Sequence, residues 1–338
     1  MRHPSVAVIP LLAALAAPAA AQQATVTEWT VPWSDTRPRD PTVAADGRVW
    51  FVGQVGNYVG VLDPGTGTFR RFELAAGTLP HNVVIGPDGA PWFTGNRNGT
   101  IGRLDPASGL VRTWPMPAAD LSDPHTLAFA PDGSLWFTLQ ASNAVAHLDP
   151  RSGAIRVVRM PLPGSRPYGI GLDSKGRPWF VEFGGNRIGT IDPVSYALRE
   201  FTIPDPAARP RRIVIAANDQ VYAGDYNRGK LVRLDPATGS FSEWPNPAGA
   251  RSAPYAMAGD DQGMVWQVET GVQPNRLVSF DPRTGRFGTP VPIAGSGGVV
   301  VRHMVFDRTS RSLWFGTDAG TIGRATLGPG TPAAGATP

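Results

Sequence analysis

The sequence predicts an all-β fold: a seven-bladed β-propeller of four-stranded antiparallel blades, with the last blade closed by the N-terminal strand. Three observations predict it. First, a phrase recurs, as PDGAPWFT at residues 87–94 and PDGSLWFT at residues 131–138, with looser copies along the chain. Its aromatic anchor falls at Trp50, Trp92, Trp136, Trp179, Tyr222, Trp266 and Trp314, with spacings of 42, 44, 43, 43, 44 and 48. Seven copies at that period match one four-stranded blade per copy. Second, the 338 residues include 40 Gly and 35 Pro, which break helices and suit short strands joined by turns. Third, a D-P-x-[ST]-G turn recurs at Asp63, Asp105, Asp149, Asp235 and Asp281, and at Asp192 with Tyr196 in the Gly place.

The second copy shows how each repeat divides. Residues 81–86 (HNVVIG) form the innermost strand, and Asp88-Gly89 a tight hairpin turn that needs positive φ. PWFTG is the second strand, residues 101–105 (IGRLD) the third, and VRTWP the outer strand. Between the last two lies the Asp105-Pro106-Ala107-Ser108-Gly109 turn, where Pro sets φ and Gly relieves strain. The repeated Trp-Phe belongs to the packing between neighbouring blades rather than to a ligand site.

The seventh copy has three strands before GPGTPAAGATP, and residues 329–338 are read as a disordered tail. An unpaired outer-type strand, TVTEWTVP at residues 25–32, stands at the other end and resembles SEWP at 242–245. It is expected to complete the seventh blade and cover its open edge. The propeller therefore spans residues 22–328. Ahead of it, Arg2, an apolar run over residues 6–17 and Ala19-Ala20-Ala21 read as a cleaved signal peptide of residues 1–21. The mature protein is then expected in the periplasm or outside the cell, without a membrane span, and is expected to be a monomer. The formal charge is +4, without a dense Lys/Arg stripe, which argues against nucleic-acid binding. There is no Cys, so disulfides and thiolate metal sites do not occur.

Innermost strands line a propeller's channel, so one repeat position should converge on its mouth. Eleven residues before the anchors lie Arg39, His81, His125, Tyr168, Arg211, Tyr255 and His303, all but the last preceded by Pro. This ring reads either as a ligand-binding rim or as the polar lining any wet channel needs. The remaining histidine after the leader, His147, reads as a solvated side chain on a third strand. Three residues after the anchors, Glu182, Asp225 and Glu269 supply acids in consecutive blades, and the seventh offers Asp318 one step later. Carboxylates near imidazoles bind hard divalent cations or raise histidine basicity; paired with arginines, they serve structure instead.

Two stretches carry a resemblance to a family: PYGIGLDSKGRPWFVEFGGNRIGTID at 167–192 and PHNVVIGPDGAPWFTGNRNGTIGRLD at 80–105. They resemble the virginiamycin B lyase (streptogramin B lyase) family of seven-bladed propellers, across essentially the whole mature chain. The resemblance implies a lyase that opens a cyclic depsipeptide by elimination, a His base removing an α-proton while Mg²⁺ held by acids polarises the ester. Carried over, the base is His303 and one metal ligand is Asp318, with Glu269 as a helper. The second acidic ligand of the family, two residues before the base, is Val301 here, and a further histidine one blade earlier is Tyr255. His81, His125, Tyr168, Arg211, Tyr255 and Arg39 would contact a small-molecule substrate at the channel mouth. The alternatives are a non-catalytic periplasmic propeller that binds a ligand or partner, or a lactonase-type hydrolase.

Overall fold

The computed structural model describes residues 24–296 and 299–328; the stretches read as signal peptide and tail lie outside the described residues. Turn chemistry organises each repeat. In the hairpin after the innermost strand of the second repeat, Asp88 Oδ1 accepts from the Ala90 N–H at 3.3 Å, and Gly89 takes φ 75°. In the D-P-x-[ST]-G turns the Asp carboxylate accepts backbone N–H groups two and three residues on, as Asp105 Oδ1 does from Ala107 at 2.9 Å. Tyr196, standing in the Gly place, carries the left-handed φ of 61°.

These turns connect strands into seven antiparallel sheets arranged in a ring. The first blade is Pro38–Val43, Val49–Gly53, Tyr58–Asp63 and Thr68–Glu73, from the channel outward. The second is Pro80–Ile85, Pro91–Gly95, Thr100–Leu104 and Val111–Pro115, within a residue or so of the expected strands. Blade 6 departs from the pattern: its outer strand is split into Arg286–Phe287 and Val291–Pro292. Blade 7 consists of Val301–Asp307, Ser312–Thr317 and Thr321–Leu327, completed by Ala24–Thr30. That N-terminal strand pairs over its whole length, from Ala24 opposite Leu327 to Thr30 opposite Thr321, and closes the ring.

The period-2 alternation of strands puts the Trp and the Phe of each repeat on opposite faces of a blade. Each anchor is buried, and five of the seven interfaces join the Trp of one blade to the Phe of the next; blades 5 and 6 carry Ala223 and Gln267 in the Phe place. Trp50 clusters with Phe93, Trp92 with Phe137, Trp136 with Phe180, Trp266 with Phe315, and Trp314 with Phe51. The glycine of the I-G motif has a packing reason. Phe93 stands opposite Gly102, and a Cβ there would sit 2.2 Å from the Phe93 ring. The same holds for Phe51 over Gly60, Phe180 over Gly189 and Phe315 over Gly323. Among the described residues no helix is long and apolar enough to cross a membrane.

Candidate active site at the channel mouth

Every innermost strand carries a bulge near its start. In blade 2 the pairing jumps from Pro80–Gly95 to Val83–Phe93, so His81 and Asn82 together face Thr94. A bulge sets two successive residues against one and re-aims their side chains. Each blade therefore delivers two residues to the channel. The upper ring is Arg39, His81, His125, Tyr168, Arg211, Tyr255 and Arg302. The ring beneath it is Asp40, Asn82, Thr126, Gly169, Arg212, Ala256 and His303.

This corrects the placement of His303. The count of eleven holds in six blades. In blade 7 the hairpin is one residue longer: Met304 pairs with Phe315, whereas Leu127 pairs with Phe137. Val301 faces Thr317 as Pro124 faces Leu139, so it occupies the proline place and Arg302 follows it. The absent proline before His303 was the available signal. Asp40, Asn82, Thr126 and Arg212 went unnoticed because a bulge leaves no mark in a residue count, although they lie one step along from the ring that was read.

The second ring is tied across the channel by Arg212. Its Nη2 donates to Asp40 Oδ2 at 3.1 Å, Nη1 to Thr126 Oγ1 at 3.3 Å and Nε to the Arg302 carbonyl at 3.2 Å. Asn82 Nδ2 also donates to Asp40 Oδ2, at 3.1 Å. Asp40 is fully buried; burial works against its charge, but Arg212 and the neighbouring cations hold its carboxyl well below the usual range. Above it aromatic rings pack against one another at tilted angles. His81 and His125 have ring centroids 3.7 Å apart, and His125 and Tyr168 4.2 Å. The Tyr168 and Tyr255 hydroxyls hydrogen-bond each other directly.

Electrostatics divides these groups. Burial, with the Arg212 charge, pushes His303 down to about 4 despite Asp40, so its imidazole is neutral near pH 7. Its Nδ1 is buried without a hydrogen-bond partner. Burial and nearby arginines also hold His81 and His125 well below their usual range. Burial alone would raise Tyr255, yet the charges of Arg211, Arg39 and Arg212 bring it down to about 8.

The two carboxylates expected to hold a metal are occupied. Asp318 is gripped by Arg302, whose Nε lies 3.0 Å from both oxygens and whose Nη2 lies 2.5 Å from Oδ2. Arg37 Nε adds a contact at 3.5 Å. Glu269 is fully buried, accepting from the Ala248 N–H at 2.7 Å and from Arg276 Nη2 at 2.6 Å. Among the described residues no three His, Asp or Glu side chains gather as a ligand set. The residues present do not fit a divalent ion, since a hard cation would face oxygens already neutralised by guanidinium groups. Asp225 behaves likewise, with Arg228 Nε on its Oδ2 at 2.5 Å and the Arg209 and Arg228 backbone N–H groups donating to its Oδ1 at 2.9 and 3.2 Å. His147 also differs from expectation: it stacks on Trp136 at 4.4 Å and hydrogen-bonds the Tyr196 hydroxyl at 2.7 Å.

Beside the mouth lies an open cavity of about 530 Å³, lined by Trp33, Asp35, Thr36, Arg37, Val55 and Asp318 among others. Through Arg37 and Asp318 it adjoins the Arg302 edge of the ring.

Comparison with curated proteins gives no match. Among solved structures, a streptogramin B lyase matches with a TM-score of 0.81 at 24% identity, covering 90% of this chain and 98% of that one. A selenomethionine-substituted virginiamycin B lyase from Staphylococcus aureus matches with a TM-score of 0.80 at 26% identity, over 90% and 100%. The catalytically inactive His-to-Ala variant of the S. aureus enzyme, solved with quinupristin, matches with a TM-score of 0.82 at 26% identity over the same shares. The model of the virginiamycin B lyase family matches residues 16–277. With the blade pattern, the ring closure and that match over most of its length, the chain belongs to the virginiamycin B lyase family.

Proposed function

We propose that this propeller is a carbon–oxygen lyase that opens a cyclic ester by elimination at the channel mouth, with His303 as the base. The observation that carries the reading is the state of His303: on the channel-facing bulge of blade 7, neutral near pH 7, with an unpartnered ring nitrogen. A neutral imidazole accepts a proton. In the step proposed, His303 takes the proton from the carbon next to a carbonyl. The C–H electron pair becomes a C=C bond to the neighbouring carbon, the ester C–O bond on that carbon breaks, and the leaving group departs as a carboxylate. His303 then returns its proton to water.

Negative charge develops on the carbonyl oxygen and then on the leaving carboxylate. Groups already aimed at that charge lower the barrier most, because they need no reorganisation. The Tyr255 hydroxyl, made more acidic by the surrounding arginines, is a strong donor for the carbonyl oxygen. Arg39 and Arg211 supply positive charge at the same mouth. His81, His125 and Tyr168 offer flat faces for the substrate. A similar protein, the S. aureus virginiamycin B lyase, is catalytically inactive when a histidine is changed to alanine, which supports a histidine base. The step is not routed through a metal.

The experiment is mass spectrometry of the products after incubating the protein with cyclic depsipeptides and lactones. Elimination gives a ring-opened isomer of unchanged mass; hydrolysis adds one water and would point to a lactonase. An isomer formed by the wild type but not by His303→Ala is the expected result. No conversion of any ester would leave the second reading, a ligand-binding propeller without turnover. The commitment of Asp318 and Glu269 to arginines favours that second reading. The leader sequence supports a place in the periplasm or outside the cell for either.

A further inference from the structure

Four arginines stand at the channel mouth, and they are not equivalent. Arg212 spends its donors on Asp40, Thr126 and the Arg302 carbonyl, and Arg302 spends its own on Asp318. Arg39 and Arg211 are left over. Arg39 is only 5% exposed; its Nη1 donates to Gln54 at 2.9 Å, while Nε and Nη2 are buried without a hydrogen-bond partner. The nearest carboxylate oxygen to its Nε, Asp40 Oδ1, is 3.8 Å away, beyond hydrogen-bond range, and is itself unpartnered. Arg211 Nε is also buried and unpartnered, and among the described residues no carboxylate pairs with Arg211.

Arg211 is held by aromatic faces instead. Its Cζ lies 3.7 Å from the Tyr255 ring centroid, 4.4 Å from Tyr226, 4.5 Å from Phe183 and 5.2 Å from Tyr168. Aromatic faces stabilise the flat side of a guanidinium and leave its in-plane N–H edge unused. Asp40, 3.8 Å from Arg39 Nε, also meets Arg212, whose Cζ lies 5.3 Å from the same Tyr168 ring that Arg211 faces, so Arg39 and Arg211 bound one region of the channel from different blades. Buried donors without partners cost free energy that an arriving acceptor recovers. A planar, singly charged carboxylate matches a guanidinium edge geometrically, and its substituent would lie among the His81, His125 and Tyr168 faces.

We infer that Arg39 and Arg211 form a carboxylate-binding subsite at the channel mouth, so that the protein's ligands carry, or release there, a carboxylate flanked by a flat or apolar group. This deepens the proposed elimination, whose leaving group is a carboxylate, but binding requires no turnover and is tested separately.

The experiment is calorimetric titration of benzoate, its neutral counterpart benzamide, and inorganic phosphate into the full protein at neutral pH. Titrations are repeated on Arg39→Met, Arg211→Met, Arg211→Lys and His303→Ala, with folding of each variant checked by circular dichroism. One-site binding of benzoate but not benzamide is expected, weakened about tenfold or more in the Met variants. It should survive in His303→Ala, which removes the proposed base, so a failed lyase assay leaves this result standing. Should Arg39→Met not fold, Arg211→Lys decides, because it keeps the charge and loses the fork. Absence of benzoate binding, equal binding of benzamide, binding of phosphate alone, or benzoate binding unaltered in the folded arginine variants would each overturn the inference.

Discussion

Arg212 of blade 5 reaches across the channel to Asp40 of blade 1, Nη2 to Oδ2 at 3.1 Å, and both side chains are almost wholly buried. Breaking a buried ion pair from one side strands the other charge, at a cost of about 3–5 kcal/mol. Arg212→Met and Asp40→Asn are therefore each expected to lower the urea midpoint strongly. The double variant should recover part of the loss, because neither charge is then left alone. Additive losses in that cycle would mean that Thr126 and the Arg302 carbonyl, rather than Asp40, are what Arg212 needs.

The acid limb of catalysis should lie unusually low. His303 is held at about 4 by burial and Arg212, so its proton-accepting form persists throughout the mildly acidic range. The expected profile of kcat/KM for ester opening is level from pH 5 to 7 and falls as pH drops through about 4. A limb near the ordinary histidine value would assign the base elsewhere.

Stability should carry a separate pH signature from blade 4. Glu182 is fully buried, and burial together with the Glu200 carboxyl raises it from 4.5 to about 7. A raised acid stabilises the fold fully below its unfolded value and loses that contribution as pH rises through the folded value. The buried histidines act oppositely, since their depressed values favour the fold above about pH 6.5. The informative quantity is thus the difference between wild type and Glu182→Gln. The variant's Tm relative to wild type should rise between pH 5 and 8. A constant difference would show that Glu182 is not protonated in the fold at pH 5.

Titrating Mg²⁺ into chelator-treated protein tests the fate of Asp318. With both oxygens on Arg302, no saturable site is expected, and Asp318→Ala should leave the heat trace unaltered. One-site binding lost in Asp318→Ala would mean that Arg302 swings aside to admit an ion. The same variant should lower thermal stability modestly, because it leaves a partly buried guanidinium unpaired.

What the sequence made legible follows from how local each feature is. The hairpin Asp-Gly, the D-P-x-[ST]-G turn and the Trp-Phe alternation act within a few residues, and their period names the blade. Ring closure was legible too, because TVTEWTVP looks like an outer strand and the seventh repeat carries only three strands of its own. The site was half legible. Six members of the upper ring follow from a fixed offset, but Arg302 and His303 exchanged places through one extra hairpin residue. Asp40 and Arg212 meet only because two bulges from blades far apart in sequence face each other across a channel. The occupation of Asp318 by Arg302 is equally a matter of three-dimensional approach; that of Glu269 by Arg276, seven residues on, arises from a direct cross-strand pairing.

The pairing of Ala24–Thr30 with Thr321–Leu327 makes the first strand of the ring wait for the last. As the chain emerges in order, six blades have their partners within reach, while the N-terminal strand stays unpaired until residues about 300 positions downstream are available. Contacts of such long sequence separation form slowly, because the loop-closure entropy must be met first. The outer edge of Thr321–Leu327 and the loose N-terminal strand are thus the last surfaces to be protected, and the first to open under load. A circular permutant that joins the two termini through a short linker and opens the loop between blades 3 and 4 would turn this clasp into an ordinary hairpin. It should fold faster, and unfold from a different seam.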